Sequence, residues 1–411
     1  MTVPRPTQID PHPESTGNRW ASRRVNAMPK SIFAAMDNAK VAAREKGLDV
    51  VDLSIGSSDM PPPDVAINAL REATYDAATF GYCLASRTKP LRDTVAGWYN
   101  RRFAPPVSVD ADAHVLPVIG AQEGLANLLF AVTDPGDVIL TPNPAYPSYF
   151  GAIALAGLER FDLPLLAANA FLPELANIPH EVVARAKVLL ISYPNNPTAA
   201  TAPREFFQAA IDFCHQHDIL LVHDFPYVDM TFGDYRAPSL CEFAGGLDIG
   251  IEIYSCSKSF HMSGLRIGWV VGNKDAVSAL AQAKSAIDFN QYLGIQQAAV
   301  AALTASENDP SMVRDTANRF ERRRDALVGA LADIGWQVSL PAASMYVWGK
   351  LPEGHDDAFA FVTRLAAETG VCLSPGDAFG SCGEGYVRFA LVRDEDVLRD
   401  VAQRIGQFLQ G

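Results

Sequence analysis

Between Val115 and Val271 the sequence alternates short apolar runs with helix-length amphipathic stretches, and few patterns restrict a fold so narrowly. The runs are Val115 to Ile119, Val138 to Thr141, Val188 to Ser192, Ile219 to His223, Ile249 to Tyr254 and Ile267 to Val271. Most are rich in Val, Ile and Leu, as expected of strands buried on both faces. Segments such as Glu205 to His215 intervene, with Phe206, Ala209, Ala210, Phe213 and Cys214 at the spacing of one apolar helix face. Parallel strands need crossovers of that length. The pattern therefore predicts an α/β fold with a mostly parallel sheet covered by helices on both faces.

The pattern changes near residue 300. A long charged helical stretch, Asp309 to Ile334, is followed by candidate strands at Met345 to Leu351, Val371 to Ser374 and Tyr386 to Leu391. Helices are expected near Asp356 to Thr369 and Asp394 to Leu409, which makes a smaller α+β domain. A helix over Ser31 to Lys46, leading into Val50 to Ile55, is placed with it. The expected division is an N-terminal extension (1–28), a small domain (29–60 and 300–411) and a large domain (61–299), a reasonable partition of 411 residues.

Charge and composition exclude several function classes. The net charge is −13, and the one dense basic run, Arg322 to Arg324, is flanked by Glu321 and Asp325. Such a run on a helix reads as a solvated face, so neither nucleic acid nor an anionic membrane is an expected partner. The six cysteines form no C-x-x-C pair, which fits reduced thiols and a cytoplasmic location. Residues 1–17 lack the apolar core of a secretory signal, and no stretch reaches about eighteen uninterrupted apolar residues. His215, His217 and His223 have no further ligands at zinc-site spacing, so no metal is expected. The glycines from Gly376 to Gly385 do not join a strand to a helix, which argues against a nicotinamide cofactor.

In open α/β sheets ligands bind beyond the carboxyl ends of the strands. The unusual residues fall there. Gly120, Ala121 and Gln122 follow the first run, Tyr146 the second, Asn195-Asn196-Pro197 the third, Asp224 the fourth, and Ser255-Cys256-Ser257-Lys258 the fifth. Separate loops thus deliver an anion cradle, an aromatic ring, an amide, a carboxylate and a lysine to one edge. Any one of these would be weak, since Asn-Pro is a common turn and Asp a common helix cap.

Ser255-Cys256-Ser257-Lys258, followed by Gly264-Leu265-Arg266-Ile267-Gly268, resembles the lysine motif of the class I/II aminotransferases, fold-type-I enzymes that use pyridoxal 5′-phosphate. Asn195-Asn196-Pro197-Thr198, Asp224-x-x-Tyr227 and a late Arg388 follow the family's order, and the resemblance runs from about Asp52 to Leu409.

The resemblance implies a role for each matching residue. Lys258 is the Schiff-base lysine and, once displaced, the base that moves a proton between the substrate's α-carbon and the cofactor. Asp224 faces the pyridine nitrogen and keeps it protonated, while Asn196 and Tyr227 reach the cofactor's phenolate oxygen. Gly120, Ala121, Gln122, Ser255, Ser257 and Arg266 form the phosphate cup, and Tyr146 stacks on the ring. Arg388 clamps the substrate's α-carboxylate, and the backbone of Gly56 closes over the substrate. Tyr82 reaches the phosphate in a neighbouring subunit, which implies a homodimer with shared sites.

The chain departs from the family pattern at three places. Arg87 stands where a glycine is usual, Ala199 replaces the glycine after Asn-Pro-Thr, and His261 occupies a place more often held by Asn or a small residue. Arg87 is open to two readings, a contact to a distal substrate carboxylate across the dimer interface or a structural ion pair. The implied activity is transfer of an amino group between an amino acid and a 2-oxo acid. A β-eliminating lyase on the same scaffold is the alternative, because a shared carbanion can expel a β-substituent. A ligand-sensing regulator would need a DNA-binding segment, and the roughly fifty residues before the family region show no helix-turn-helix pattern.

Overall fold

The computed structural model describes residues 20–28 and 33–410. Most of the expected extension, residues 1–19, and the start of the helix expected from Ser31 lie outside the described residues; that helix is seen over Phe33–Glu45.

The strands in chain order are β1 (Val51–Asp52), β2 (Val115–Val118), β3 (Val138–Asn143), β4 (Glu159–Pro164), β5 (Ala186–Ile191), β6 (Leu220–Asp224), β7 (Gly250–Ser255), β8 (Gly268–Gly272), β9 (Tyr346–Lys350), β10 (Val371–Cys372), β11 (Ser374–Pro375) and β12 (Tyr386–Ala390). Seven of them form one sheet in the order β2-β8-β7-β6-β5-β3-β4. Each of the six apolar runs became a strand of it. All neighbours are parallel except β8, which runs against both β7 and β2.

Alternation along β5 shows how the sheet is covered. Val188 and Leu190 pack on one face with Leu125 and Leu128 of helix Ala121–Val132, Ile153 of helix Pro147–Ala156 and Leu280 of helix Lys274–Ile287. Leu189 and Ile191 pack on the other with Phe207, Ile211 and Cys214 of helix Arg204–His217. With both faces dry, a continuous apolar run is the only composition that avoids burying polar groups.

The strand the sequence reading missed, β4, is the sheet edge. Its composition, Glu-Arg-Phe-Asp-Leu-Pro, keeps charge on an exposed margin and so lacks the apolar signature of a central strand. The run Val371 to Ser374 splits in two because the chain changes sheets at Leu373: β10 pairs with β1, and β11 pairs with β12. The remaining sheet, β11-β12-β9, is antiparallel and packs with helices Ser311–Asp333, Ala358–Thr369 and Glu395–Gln410 around Phe320, Leu327, Phe361, Leu365, Leu398 and Ile405. Among the described residues no helix is long and apolar enough to cross a membrane.

Candidate active site

Strands β2, β3, β5, β6 and β7 run in one direction, so their carboxyl ends share an edge. A cavity of about 510 Å³ opens there, closed on its far side by Arg388 of β12 and by Ser54 to Gly56, which follow β1. Of the site residues expected from the sequence, all but Gly120 and Tyr82 line it.

At one end of the cavity is a cradle for an anion. Gly120 precedes helix Ala121–Val132, whose start has no side-chain cap, so its first-turn N–H groups remain available. Ser255 caps the next short helix by accepting from the Ser257 amide at 3.2 Å. Arg266 holds a left-handed backbone (φ +53°) and donates to the Ser263 carbonyl at 2.9 Å. Gly120, at φ +82°, lies so close that a Cβ there would sit 2.4 Å from Arg266 Nη2. Gly120 thus contributes by its missing side chain.

Lys258 occupies the centre. Its Nζ donates to the Gly56 carbonyl at 2.5 Å and stands 5.9 Å from the centre of the Tyr227 ring. Asp224 lies deeper and is buried; burial pushes its pKa up to about 6, against the pull of the Tyr149 hydroxyl, His223 and Lys258. A carboxylate so desolvated is placed to meet a cation or a protonated ring nitrogen.

At the other end, Arg388 is buried between two rings, 4.2 Å from the centre of Tyr346 and 4.5 Å from that of Phe379. Its Nη1 donates to Asn196 Oδ1 at 2.7 Å and its Nη2 to the Ser54 carbonyl at 2.8 Å and Ser374 Oγ at 3.4 Å, while Nε has no partner among the described residues. This is a guanidinium held flat and ready for a carboxylate. Tyr227 donates to the Tyr346 hydroxyl at 3.2 Å. Burial, then the adjacent Tyr346, raises the Tyr227 pKa and keeps its phenol protonated. Burial also works to raise Tyr346, but Lys258, Arg388 and the bond from Tyr227 outweigh it and bring that phenol below its usual range.

Tyr146 lines the cavity with its ring edge-on to Tyr149, centres 5.7 Å apart. Tyr82 stands outside, 76% exposed and packed edge-on against Phe289. Arg87 bonds the carbonyls of Ala78 and Tyr82 within its own loop. His223 spends both ring nitrogens on Glu252 and Tyr193, and His215 one on the Gly245 carbonyl.

Two tyrosines that line the cavity were not anticipated. Tyr149 donates to Asp224, and Tyr346 stands between Tyr227, Gly56 and Arg388. For Tyr149 a signal existed: Tyr146 and Tyr149 are three apart at a helix start that follows a strand, so both rings face the same edge.

These residues suit pyridoxal phosphate on their own chemistry: an amine for the aldehyde, a buried carboxylate for the ring nitrogen, and a cradle kept open by Gly120 for the phosphate. With the seven-stranded sheet that presents them, they define a fold-type-I pyridoxal-phosphate enzyme. The comparisons narrow the class. The chain belongs to the family described as aminotransferase class I and II, whose pattern matches residues 48–405. It is 40% identical over 384 residues, 93% of this chain and 97% of the other, to an LL-diaminopimelate aminotransferase of Syntrophobacter fumaroxidans. A glutamate-pyruvate aminotransferase of Escherichia coli is 37% identical over 93% of this chain and 92% of its own length. Among solved structures, a probable N-succinyldiaminopimelate aminotransferase from Thermus thermophilus superposes with a TM-score of 0.87 at 42% identity, covering 92% of this chain and all (100%) of that one. The protein is therefore a pyridoxal-phosphate-dependent aminotransferase, and the alternative of a β-eliminating lyase is not favoured.

Proposed function

We propose that transamination here is carried by Lys258 and that the donor is an amino acid with a second carboxylate. The observation that carries the first part is the Lys258 amine, bonded to the Gly56 carbonyl between Asp224 and Arg388 in one cavity. When bound, the cofactor supplies an aldehyde that captures the substrate's amine and a ring that accepts electrons from the α-carbon. Lys258 holds that aldehyde and then moves the α-proton; Asp224 balances the ring nitrogen; Asn196 and Tyr227 address the ring's phenolic oxygen; Tyr146 covers the ring face. Ala121, Gln122, Ser255, Ser257 and Arg266, with Gly120 leaving room, hold the phosphate. Arg388 binds the α-carboxylate, and Gly56 lies over the substrate. Borohydride reduction of the loaded enzyme should fix the label on the peptide containing Lys258; label on another peptide refutes the assignment.

The second part draws on the relatives, named for diaminopimelate, its N-succinyl form and glutamate with pyruvate; the three amino acids among these bear a carboxylate distant from the reacting amine. A donor panel tests it. LL-diaminopimelate, N-succinyl-LL-diaminopimelate and glutamate should exceed alanine, leucine and lysine in kcat/KM by about tenfold or more, the scale of one charge-assisted hydrogen bond. Equal values across the panel would refute it.

We further propose a homodimer in which Tyr82 completes the neighbour's phosphate cup. Tyr82 is 76% exposed beside the exposed Phe80, Leu84 and Phe289, a contiguous apolar margin outside its own cavity. Sedimentation velocity should show a dimer, and Tyr82→Phe should weaken cofactor binding. The expected domain division at 29–60, 61–299 and 300–411 stays a proposal, supported by the separate core around Phe320 and Phe361. A cytoplasmic location is proposed on the six unpaired cysteines, with cell fractionation as its test.

A further inference from the structure

The segment from Ser54 to Met60 is fastened at several points as it crosses the cavity mouth. Ser54 accepts from Arg388, Gly56 from Lys258, and Asp59 pairs with Arg323 at 2.7 and 2.8 Å. Ser58 is held by a residue outside the cavity: its Oγ is 2.8 Å from Nδ1 of His261, three positions beyond Lys258. The other ring nitrogen, Nε2, is 3.2 Å from Thr316 Oγ1 on helix Ser311–Asp333.

The neighbouring bonds fix the direction of this chain. The Met60 amide donates to Ser58 Oγ, whose own proton can then point to an unprotonated Nδ1. Thr316 donates to the Met312 carbonyl and keeps a lone pair for Nε2–H. A neutral imidazole protonated on Nε2 donates to Thr316 and accepts from Ser58, so every member of the chain has a partner. Burial, the dominant cause, with Arg319 and Arg323 beside it and Asp59 opposing, lowers the His261 pKa to about 4, so the neutral form is the resident one.

We propose that His261 is a positioning residue that ties the Ser54–Met60 segment to the lysine loop and to helix Ser311–Asp333 while the Lys258 amine is engaged elsewhere. The inference rests on the assignment of Lys258 above. An amine that carries the cofactor no longer donates to Gly56, and among the described residues the bond between Ser58 and His261 is then the hydrogen bond left joining the two segments. His261 sits at φ +56°, a backbone that asparagine tolerates, but an asparagine amide is too short to span from Ser58 to Thr316.

Hydrogen–deuterium exchange on the cofactor-loaded enzyme tests this directly. In Ser58→Ala, His261→Asn and Thr316→Val, exchange of the peptide covering residues 54–60 should rise about tenfold, the upper range for one lost hydrogen bond. The same variants without cofactor should change less, because Lys258 still holds Gly56. KM for both the amino acid and the 2-oxo acid should rise together by about five- to tenfold, with kcat within about threefold, because the loss falls on substrate retention and not on the proton transfer. Ser58→Ala combined with His261→Asn should be no worse than either alone, since both break one chain. Unchanged exchange in all three loaded variants, or a fall in kcat at constant KM, overturns the proposal. Borohydride labelling is run alongside: label away from Lys258 overturns the functional assignment and this inference with it, whereas label on Lys258 with unchanged exchange overturns the role of His261 alone.

Discussion

Tyr149 donates its phenolic proton to Asp224, with its oxygen 2.5 Å from Oδ2, and both groups are buried where β6 ends beneath the cavity. The bond is the strongest local force keeping Asp224 ionised, yet burial wins and its pKa stands at about 6 against an ordinary 3.8. A folded pKa above the unfolded one contributes stability at low pH that is lost as pH rises through the folded value. Two pKa units correspond to about 3 kcal/mol, so cofactor-free protein carries a cost of that order above pH 6. Asp224→Asn should therefore make the cofactor-free protein more stable than wild type at pH 8 in urea unfolding. The gap should shrink as pH falls from about 6 to about 4. Tyr149→Phe removes a force that lowers the Asp224 pKa, so its midpoint should move further up and cofactor binding should weaken. A less stable Asp224→Asn at pH 8 would contradict this account.

Arg388 is held by two rings, one side-chain amide and one carbonyl. Lysine in its place keeps the charge but loses both the flat stacking surface and the fork. Arg388→Lys should lower kcat/KM by about 10- to 100-fold, the scale of a charge-assisted bond, and should weaken inhibition by dicarboxylates in parallel. Cofactor affinity should stay near that of wild type, because Arg388 makes no bond to the residues of the phosphate cradle, whereas absorbance can shift through its bond to Asn196.

Gly56 is forced to be glycine by Tyr346. A Cβ at position 56 would meet the Tyr346 hydroxyl at 1.9 Å and ring carbons at 2.6 and 2.7 Å. The segment is fastened on both sides, by Arg388 to Ser54 and by Arg323 to Asp59, so it can relieve the clash only by loosening one of these bonds. Gly56→Ala should therefore lower stability by about 1–3 kcal/mol, the usual cost of overpacking, and raise KM by about tenfold or more. Adding Tyr346→Phe removes the nearest atom but leaves the ring carbons, so recovery should be partial.

Legibility in the sequence followed burial. Central strands were readable because β5, β6 and β7 are dry on both faces and largely apolar, their buried His223 and Glu252 bonded to each other, while the exposed edge β4 carries Glu159, Arg160 and Asp162. The reversal of β8 was not readable, since a central strand has the same composition in either direction. Gln122, Tyr146, Asn196, Asp224 and Lys258 could be placed because they follow apolar runs, whereas Arg266 and Arg388 were placed only by the family resemblance. Tyr346 escaped for the opposite reason: it begins β9 within a run, Met345 to Leu351, that reads as core and largely is core. His261 was visible as a departure from the family pattern, but its partners Ser58 and Thr316 are 203 and 55 residues away in sequence, and no local signal links them.

Gly120 separates two costs that are usually confounded. At φ +82° and ψ 156° it occupies a region nearly closed to other residues, so Gly120→Ala should cost about 1–3 kcal/mol in the cofactor-free protein. The new methyl would also strike the Arg266 guanidinium at 2.4 Å, and that group is anchored by its bond to Ser263 and by its own left-handed backbone. Arg266 must give way, and cofactor affinity should drop by about 10- to 100-fold. Gly136 provides the control, because its φ is +95° but a Cβ there meets nothing within 4 Å. Gly136→Ala should show a comparable loss in urea unfolding with no change in the cofactor titration. If both variants lost affinity equally, backbone strain alone would explain the effect and the crowding of Arg266 by residue 120 would have no part in shaping the cradle.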